Sequence, residues 1–319
     1  MNRPVARALG ALTTASMALA VACGDGTSAW VLTRNHPSPP LASGATAGTS
    51  SAGLGGISSA GAGIIGGTSQ SGEGGATAGS GSGGEDPAAA GSAGEGSLGP
   101  RDPDDFAEVC SPVVTIDNRT ASGNGQLFNE SLPEPETFMV AAARRSCALL
   151  YKLPAEVPST TSTTDLTVVI EDFEGAPGTV AVGGTSTTLR LNSLHMRAIA
   201  DAAGDVTLEV SGVSQFLIAL DYVLDDGAAG WLVTGLADWV RFESGYTPLT
   251  SRGPGGTWAD GFKTTAFFVD WLDESYVDAA YLLNRSMDPS DATEWSEQVF
   301  VDIAGKDVTT LWNDYQASL

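Results

Sequence analysis

Histidine is scarce in this 319-residue chain, and that scarcity limits the chemistry available to it. The two histidines, His36 and His195, lie far apart in the sequence. A helical zinc site needs two histidines at i and i+4 on one helix face, and no alignment shift can produce that pair here. A serine hydrolase built around His195 stays open, although the chain has no G-x-S-x-G motif. A lone histidine is more often a structural residue whose hydrogen bonds are satisfied.

The acidic residues offer a second kind of chemistry. Asp221, Asp225 and Asp226 lie close together and could bind a hard cation such as Ca²⁺ through their oxygens. Such a run is more often a solvated turn, and no EF-hand spacing supports the cation site. Further along the chain, we expect Asp238 to cap its helix or to pair locally with Arg241.

Residues 1–23 have the order of a bacterial signal peptide: two arginines, a short apolar stretch and then small residues. The stretch is too short and too weakly apolar for a stable membrane span. Residues 19–23, "LAVAC", resemble a lipobox, in which the cysteine receives a lipid; the alternative is an ordinary signal peptide with an incidental cysteine. We expect Cys23 to be lipidated, which places the protein in the bacterial cell envelope as a membrane-anchored lipoprotein.

Residues 24–104 are dominated by Gly, Ser, Ala and Thr. Such a composition carries too little bulky apolar surface to offset the entropy of ordering the backbone. We therefore expect a disordered, flexible linker that holds the domain of residues 105–319 away from the membrane. The formal net charge of −23 argues against a nucleic-acid partner, because no basic face is present to release phosphate counterions.

Once Cys23 is assigned to lipid, Cys110 and Cys147 remain as a pair. An exported chain meets an oxidising compartment, so a disulfide between these two residues is expected. It would join the start of the domain to a helix that follows. Two buried free thiols are the alternative.

The hydrophobic periodicity of residues 105–319 changes part-way along the domain. Its first part predicts β-branched strands, with one helix among them, and the part after residue 205 predicts helices. Strands that precede a run of helices indicate an α+β fold with a small N-terminal sheet and a helical C-terminal half. The predicted strands are 111–118, 164–173, 178–184 and 187–192, and the predicted helices include 135–153, 261–274, 275–287, 291–304 and 307–319.

Four stretches carry a resemblance to a known family. They are "TIDNRTASGNGQLF" (115–128), "GLADWVRFESGY" (235–246), "TWADGFKTTAFFVDWL" (257–272) and "FVDIAGKDVTTLWNDYQ" (300–316). These stretches resemble the plant basic secretory protein family, also called peptidases of plants and bacteria. The resemblance covers about residues 110–319 and implies a zincin-like fold.

The resemblance implies a zinc metallopeptidase family with an HExxH helix and an ExxxD helix downstream. The resemblance places the five HExxH positions at residues 216–220, where the two histidines and the general base are replaced by apolar residues. It also places the family's third zinc ligand at Thr234 and a family tyrosine at Phe262. Of the family's site residues, only Asp238 is retained. The replaced positions are Phe216, Leu217, Leu220, Thr234 and Phe262.

The resemblance therefore implies zinc for the family, while its ligands are absent from this chain. We expect a catalytically inactive homologue that acts as a binding or envelope module, with a peptide or glycan bound in an aromatic groove. The alternative is a hydrolase with a rebuilt, non-histidine site, for example around Asp221, Asp225 and Asp238. No cofactor is expected.

Overall fold

The computed structural model describes residues 101–159, 163–227, 229–291 and 293–319, together with the backbone of two earlier strands. These strands are β1 (Ser16–Ala22) and β2 (Ala29–Asn35), the second of which falls within the range predicted as a linker. The rest of the predicted signal peptide and linker, including Cys23, lies outside the described residues. Lipidation, export and the linker therefore stay predictions.

The described part of the domain begins slightly before the predicted boundary at residue 105. Pro103–Phe106 forms a short 3-10 helix, and the Phe106 side chain is buried. Arg101 donates a hydrogen bond to the backbone oxygen of Ala148 (3.4 Å). These contacts join the last residues of the predicted linker range to the packed domain.

Within the part of the chain that the structure describes, the sheet has six strands in the order β1-β2-β5-β6-β4-β3. Strands β3 and β4 pair in parallel, as do β4 and β6, whereas β5 and β6 form an antiparallel hairpin. The hairpin turn uses Gly184 at a φ of 65°, a left-handed conformation that glycine adopts at little cost. The bounds are β3 (Val113–Asn118), β4 (Asp165–Glu171), β5 (Gly178–Gly183) and β6 (Ser186–Asn192).

Helices make up most of the domain after the sheet, so the predicted α+β class is confirmed. Helix α4 lies at the centre of the core because it is apolar on nearly every face, and it packs on α2, α5 and the sheet. The helices are α1 (Gly125–Ser131), α2 (Pro135–Leu150), α3 (Ser193–Asp201), α4 (Val206–Tyr222), α5 (Gly230–Glu243), α6 (Phe262–Ser275), α7 (Ala279–Arg285), α8 (Gln298–Ala304) and α9 (Val308–Ser318). None of the helices among the described residues has the length and apolar character needed to cross a membrane.

The predicted helix at residues 291–304 was wrong in its first half, because α8 begins only at Gln298. The Asp291 carboxylate accepts a hydrogen bond from the backbone N–H of Thr293 (2.9 Å) in a local turn. The backbone N–H of Trp295 donates to Asp226 (3.0 Å), a residue of a distant loop. Side-chain acceptors thus satisfy backbone donors that a helix would otherwise use, and the chain stays irregular there.

The disulfide between Cys110 and Cys147 is present, which confirms the pairing expected from the sequence. Both cysteines are fully buried, and their Cα atoms lie 6.6 Å apart. Cys147 belongs to α2, so the bond joins this helix to the segment that leads into β3.

Candidate functional site

Three of the positions that the resemblance assigns to the family's HExxH motif lie in the middle of α4 and are buried. Phe216 and Leu217 are each 1% exposed, and Leu220 is 2% exposed. Leu217 packs against β5, where a Cβ atom added to Gly178 would lie 2.8 Å from its Cδ1 atom. The face of α4 that carries Leu217 is therefore closely packed against the sheet.

The structure brings three helices together at Phe216. Its ring contacts that of Phe262, at the start of α6, with 5.8 Å between the ring centroids. The backbone N–H of Phe262 donates to the Thr234 hydroxyl on α5 (3.4 Å). That hydroxyl also donates to the Trp231 backbone oxygen (3.1 Å) within its own helix. Residues far apart in sequence, which the resemblance assigns to one site, thus lie side by side.

Asp238, the retained residue of the family's site, forms an ion pair with Arg241 on the same helix. Its carboxylate lies 2.6 Å from the guanidinium Nε, and the Asp238 side chain is 3% exposed. Burial raises the pKa of Asp238, while the positive charges of Arg241 and Lys263 act in the opposite direction. The Arg241 guanidinium also lies 6.0 Å from the centre of the Phe216 ring. Local pairing with Arg241, predicted from the sequence, is confirmed.

The acidic run of residues 221–226 does not converge on one point. Asp221 is buried and accepts hydrogen bonds from the hydroxyls of Thr163 and Thr187, so its prediction as part of a solvated turn was wrong. Asp225 accepts from the backbone N–H of Gly227 (2.8 Å) in the loop that follows α4. Among residues 101–159, 163–227, 229–291 and 293–319, no cluster of three or more His, Cys, Asp or Glu side chains could hold a metal ion.

His195 has a structural partner. Its Nε2 atom lies 2.8 Å from Oε1 of Glu209 on α4, and both side chains are partly buried. The hydrogen bond with His195 is the largest cause of a lowered pKa at Glu209. The ring thus joins α3 to α4, as expected of a satisfied histidine.

The side chains at the family's zinc positions do not fit a zinc ion. Zinc in proteins takes thiolate, imidazole or carboxylate ligands. Phe216, Leu220 and Phe262 offer no such atom, the hydroxyl of Thr234 is engaged with the backbone, and the Asp238 carboxylate is paired with Arg241.

A comparison with known protein families matches most of the domain. The family model described as "Peptidase of plants and bacteria" matches residues 112–315. The chain belongs to this family. The match runs from the residue before β3 into α9, and it confirms the resemblance carried by the four sequence stretches. No curated protein and no solved structure matches the chain.

Sequence reasoning missed one feature, a cavity of about 380 Å³ between α2 and the C-terminal end of α5. Arg145, Gln215 and Tyr246 are among its lining residues. Gln215 was the available signal, because it is a long polar side chain among apolar or small residues of α4. Pattern alone could not show that its amide reaches a cavity, since the cavity is built by helices remote in sequence.

Proposed function

We propose that this protein is an exported, lipid-anchored member of the peptidase family whose domain binds an envelope peptide or glycan without hydrolysing it. The observation that carries this proposal is the packing of Phe216 against Phe262 at the place where the family's zinc chemistry is expected. An aromatic pair there occupies space that ligands and a water molecule would need.

The packing also gives a physical reason for the replacement. Burying a large apolar side chain contributes about 1.5–3 kcal/mol, and an aromatic pair adds about 0.5–1.5 kcal/mol beyond area burial. Two histidines without a metal at the positions of Phe216 and Leu220, which are 1–2% exposed, would lower the folding stability, because buried polar groups without partners are unfavourable. The chain has exchanged ligand atoms for core packing at these positions.

Export is supported by the buried disulfide, because such bonds persist mainly in oxidising compartments. Lipid anchoring is supported by the order of residues in the first 23 positions and by the small residues before Cys23. Neither observation concerns catalysis, so anchoring and inactivity are tested separately.

A hydrolase with a rebuilt carboxylate site receives no support from the geometry. Asp221 is held by two threonine hydroxyls, whereas Asp238 is paired with Arg241. Each carboxylate thus has a structural role in its own part of the core, and we do not propose this activity.

The test of inactivity is metal content and turnover of the whole chain. The protein is purified without chelator, zinc is added to half of it, and bound metal is counted by elemental mass spectrometry after gel filtration. We expect no stoichiometric metal in either half, no cleavage of a casein or peptide-library substrate, and no change in unfolding with EDTA. One metal per chain, or cleavage that EDTA abolishes, would overturn the proposal. Asp238→Ala then tells whether the carboxylate takes part.

Anchoring is tested by substituting Cys23 with alanine and following the protein in membrane and soluble fractions. We expect the parent chain in the membrane fraction and Cys23→Ala in the soluble fraction or retained as an uncleaved precursor. Metabolic labelling with a fatty acid should mark the parent and not the variant. Labelling of both proteins would contradict lipidation at Cys23.

A further inference from the structure

The cavity between α2 and the end of α5 has the features of a small-ligand site. Its volume of about 380 Å³ falls within the range of roughly 300–1,000 Å³ found for ligand pockets. None of its lining residues is among the positions that the resemblance assigns to the zinc site. Its apolar wall includes Phe138, whose ring meets that of Tyr246 edge to face with 6.1 Å between centroids.

Gln215 is a buried polar residue in the lining of this cavity. The residue is 1% exposed, and its amide Nε2 donates to the Ala142 backbone oxygen (3.1 Å) and to the Ser146 hydroxyl (2.9 Å). Because a backbone carbonyl only accepts, these bonds assign the nitrogen, and the other amide atom must be the oxygen. No described residue donates to this Oε1 atom, which leaves it as an acceptor for a ligand.

Two donor residues are also among those that line the cavity. The Nη2 atom of Arg145 donates a hydrogen bond to the backbone oxygen of Glu243 (3.0 Å). The other nitrogen atoms of this guanidinium have no acceptor among the described residues. The Tyr246 hydroxyl likewise has no protein partner there. Burial raises the pKa of Tyr246, so its hydroxyl keeps its proton and can donate. A guanidinium and a phenol hydroxyl in the lining of one cavity suit a carboxylate.

The opposite charge is supplied at the C-terminal end of α5. Glu243 is among the residues that line the cavity, and the negative end of the helix dipole lies at the same residue. Burial raises the pKa of Glu243, while a hydrogen bond with Asp270 and the nearby charge of Arg145 lower it. A cationic group bound here would stabilise the ionised form of Glu243.

We propose that this cavity binds a free α-amino acid as its zwitterion. The ligand carboxylate meets Arg145 and Tyr246, the ammonium meets Gln215 Oε1 and Glu243, and an apolar side chain lies against Phe138. A ligand with only one charge would engage either Arg145 and Tyr246 or Gln215 and Glu243, and would lose the charge-assisted contacts of the other pair. This proposal is independent of whether the domain hydrolyses peptides.

The experiment is isothermal titration calorimetry of the full chain with L-phenylalanine and L-leucine. The matched probes are N-acetyl-phenylalanine, which lacks the ammonium, and phenylalaninamide, which lacks the carboxylate. We expect saturable binding of at least one free amino acid. Both capped forms should bind at least about tenfold more weakly than the free amino acid, since each loses a charge-assisted contact. Arg145→Met and Tyr246→Phe should weaken binding. Arg144→Met is the control, because Arg144 pairs with Asp104 outside the cavity.

Three outcomes would overturn the proposal. The first is no saturable binding of either free amino acid. The second is equal binding of a capped form, which would show that the zwitterion is not what the site recognises. The third is unchanged binding in a folded Arg145→Met protein, which would place the ligand elsewhere. If circular dichroism shows that Arg145→Met does not fold, Tyr246→Phe decides the matter, because it removes only a hydroxyl.

Discussion

Reducing the disulfide between Cys110 and Cys147 should lower the free energy of unfolding of the domain. The size of the loss depends on the length of the chain segment that the bond closes into a loop. The two residues are separated by 37 positions in the sequence. The chain-entropy relation for a loop of this length gives about 4 kcal/mol at 25 °C, because the bond restricts the unfolded chain. With a urea slope of about 2–3 kcal/mol/M, the unfolding midpoint should fall by roughly 1.5 M.

The assay compares three proteins by urea unfolding, followed by tryptophan fluorescence and by far-ultraviolet circular dichroism. They are the oxidised chain, the same chain unfolded and refolded with a phosphine reductant, and the double variant Cys110→Ala/Cys147→Ala. The reduced chain loses the constraint and keeps every side-chain atom. The double variant should be less stable still, by about 1 kcal/mol per deleted sulfur, because both sites are fully buried.

The reduced chain decides whether the loop argument holds. If oxidised and reduced proteins unfold at the same urea concentration, restriction of the unfolded chain does not stabilise this domain, and the reasoning is refuted. If only the double variant loses stability, the cysteines act through packing. Cys23→Ala serves as the control, since this residue lies outside the bonded pair.

Three further predictions concern charges and helix contacts. Arg241→Leu leaves the buried Asp238 unpaired, so urea unfolding at pH 7 should show a loss of about 3–5 kcal/mol. The loss should shrink toward pH 4, because burial raises the pKa of Asp238 and protonation removes the charge. Gly235→Ala should cost about 1–3 kcal/mol on the same measurement, since the new Cβ would collide with the Thr265 side chain, although alanine favours the helix by about 1 kcal/mol. Burial raises the pKa of Asp270 to about 7, so the free energy of unfolding should fall as pH rises from about 4 through about 7. Asp270→Asn should flatten that part of the pH profile.

Each of these predictions has its own control. The double variant Asp238→Leu/Arg241→Leu should recover most of the stability, because no unpaired charge remains buried. Thr265→Ser should relieve part of the Gly235→Ala cost, since it removes Cγ2 and keeps the hydroxyl. Asp302→Asn, at an exposed acidic residue, should leave the pH profile unchanged. Equal losses of stability at pH 4 and pH 7 would contradict the argument for Arg241→Leu. A Gly235→Ala cost that Thr265→Ser does not reduce would contradict the proposed collision. An Asp270→Asn protein with an unchanged pH profile would contradict the role given to Asp270.

Much of the fold could be predicted from periodicity, but strands β1 and β2 and two helices were not predicted. Strands β3 to β6 and the long helices follow apolar patterns of period two or near four residues. Helices α1 and α3 were not predicted from the sequence. Helix α1 (Gly125–Ser131) spans only two turns, and the N-terminus of α3 is capped by Asn192, whose side chain accepts from two backbone N–H groups. Short helices of this kind depend on packing and caps more than on pattern.

The sequence by itself determined which metal-binding and disulfide-forming side chains the chain contains, because counting residue types needs no geometry. Two separated histidines rule out the family's zinc pair, and two remaining cysteines predict one disulfide. Only the tertiary structure decided which polar side chains are buried. Asp221 is held by Thr163 and Thr187, 58 and 34 positions away, so no local pattern could reveal its burial. Composition and periodicity are local properties of a chain, whereas burial and hydrogen-bond partners arise where remote segments meet.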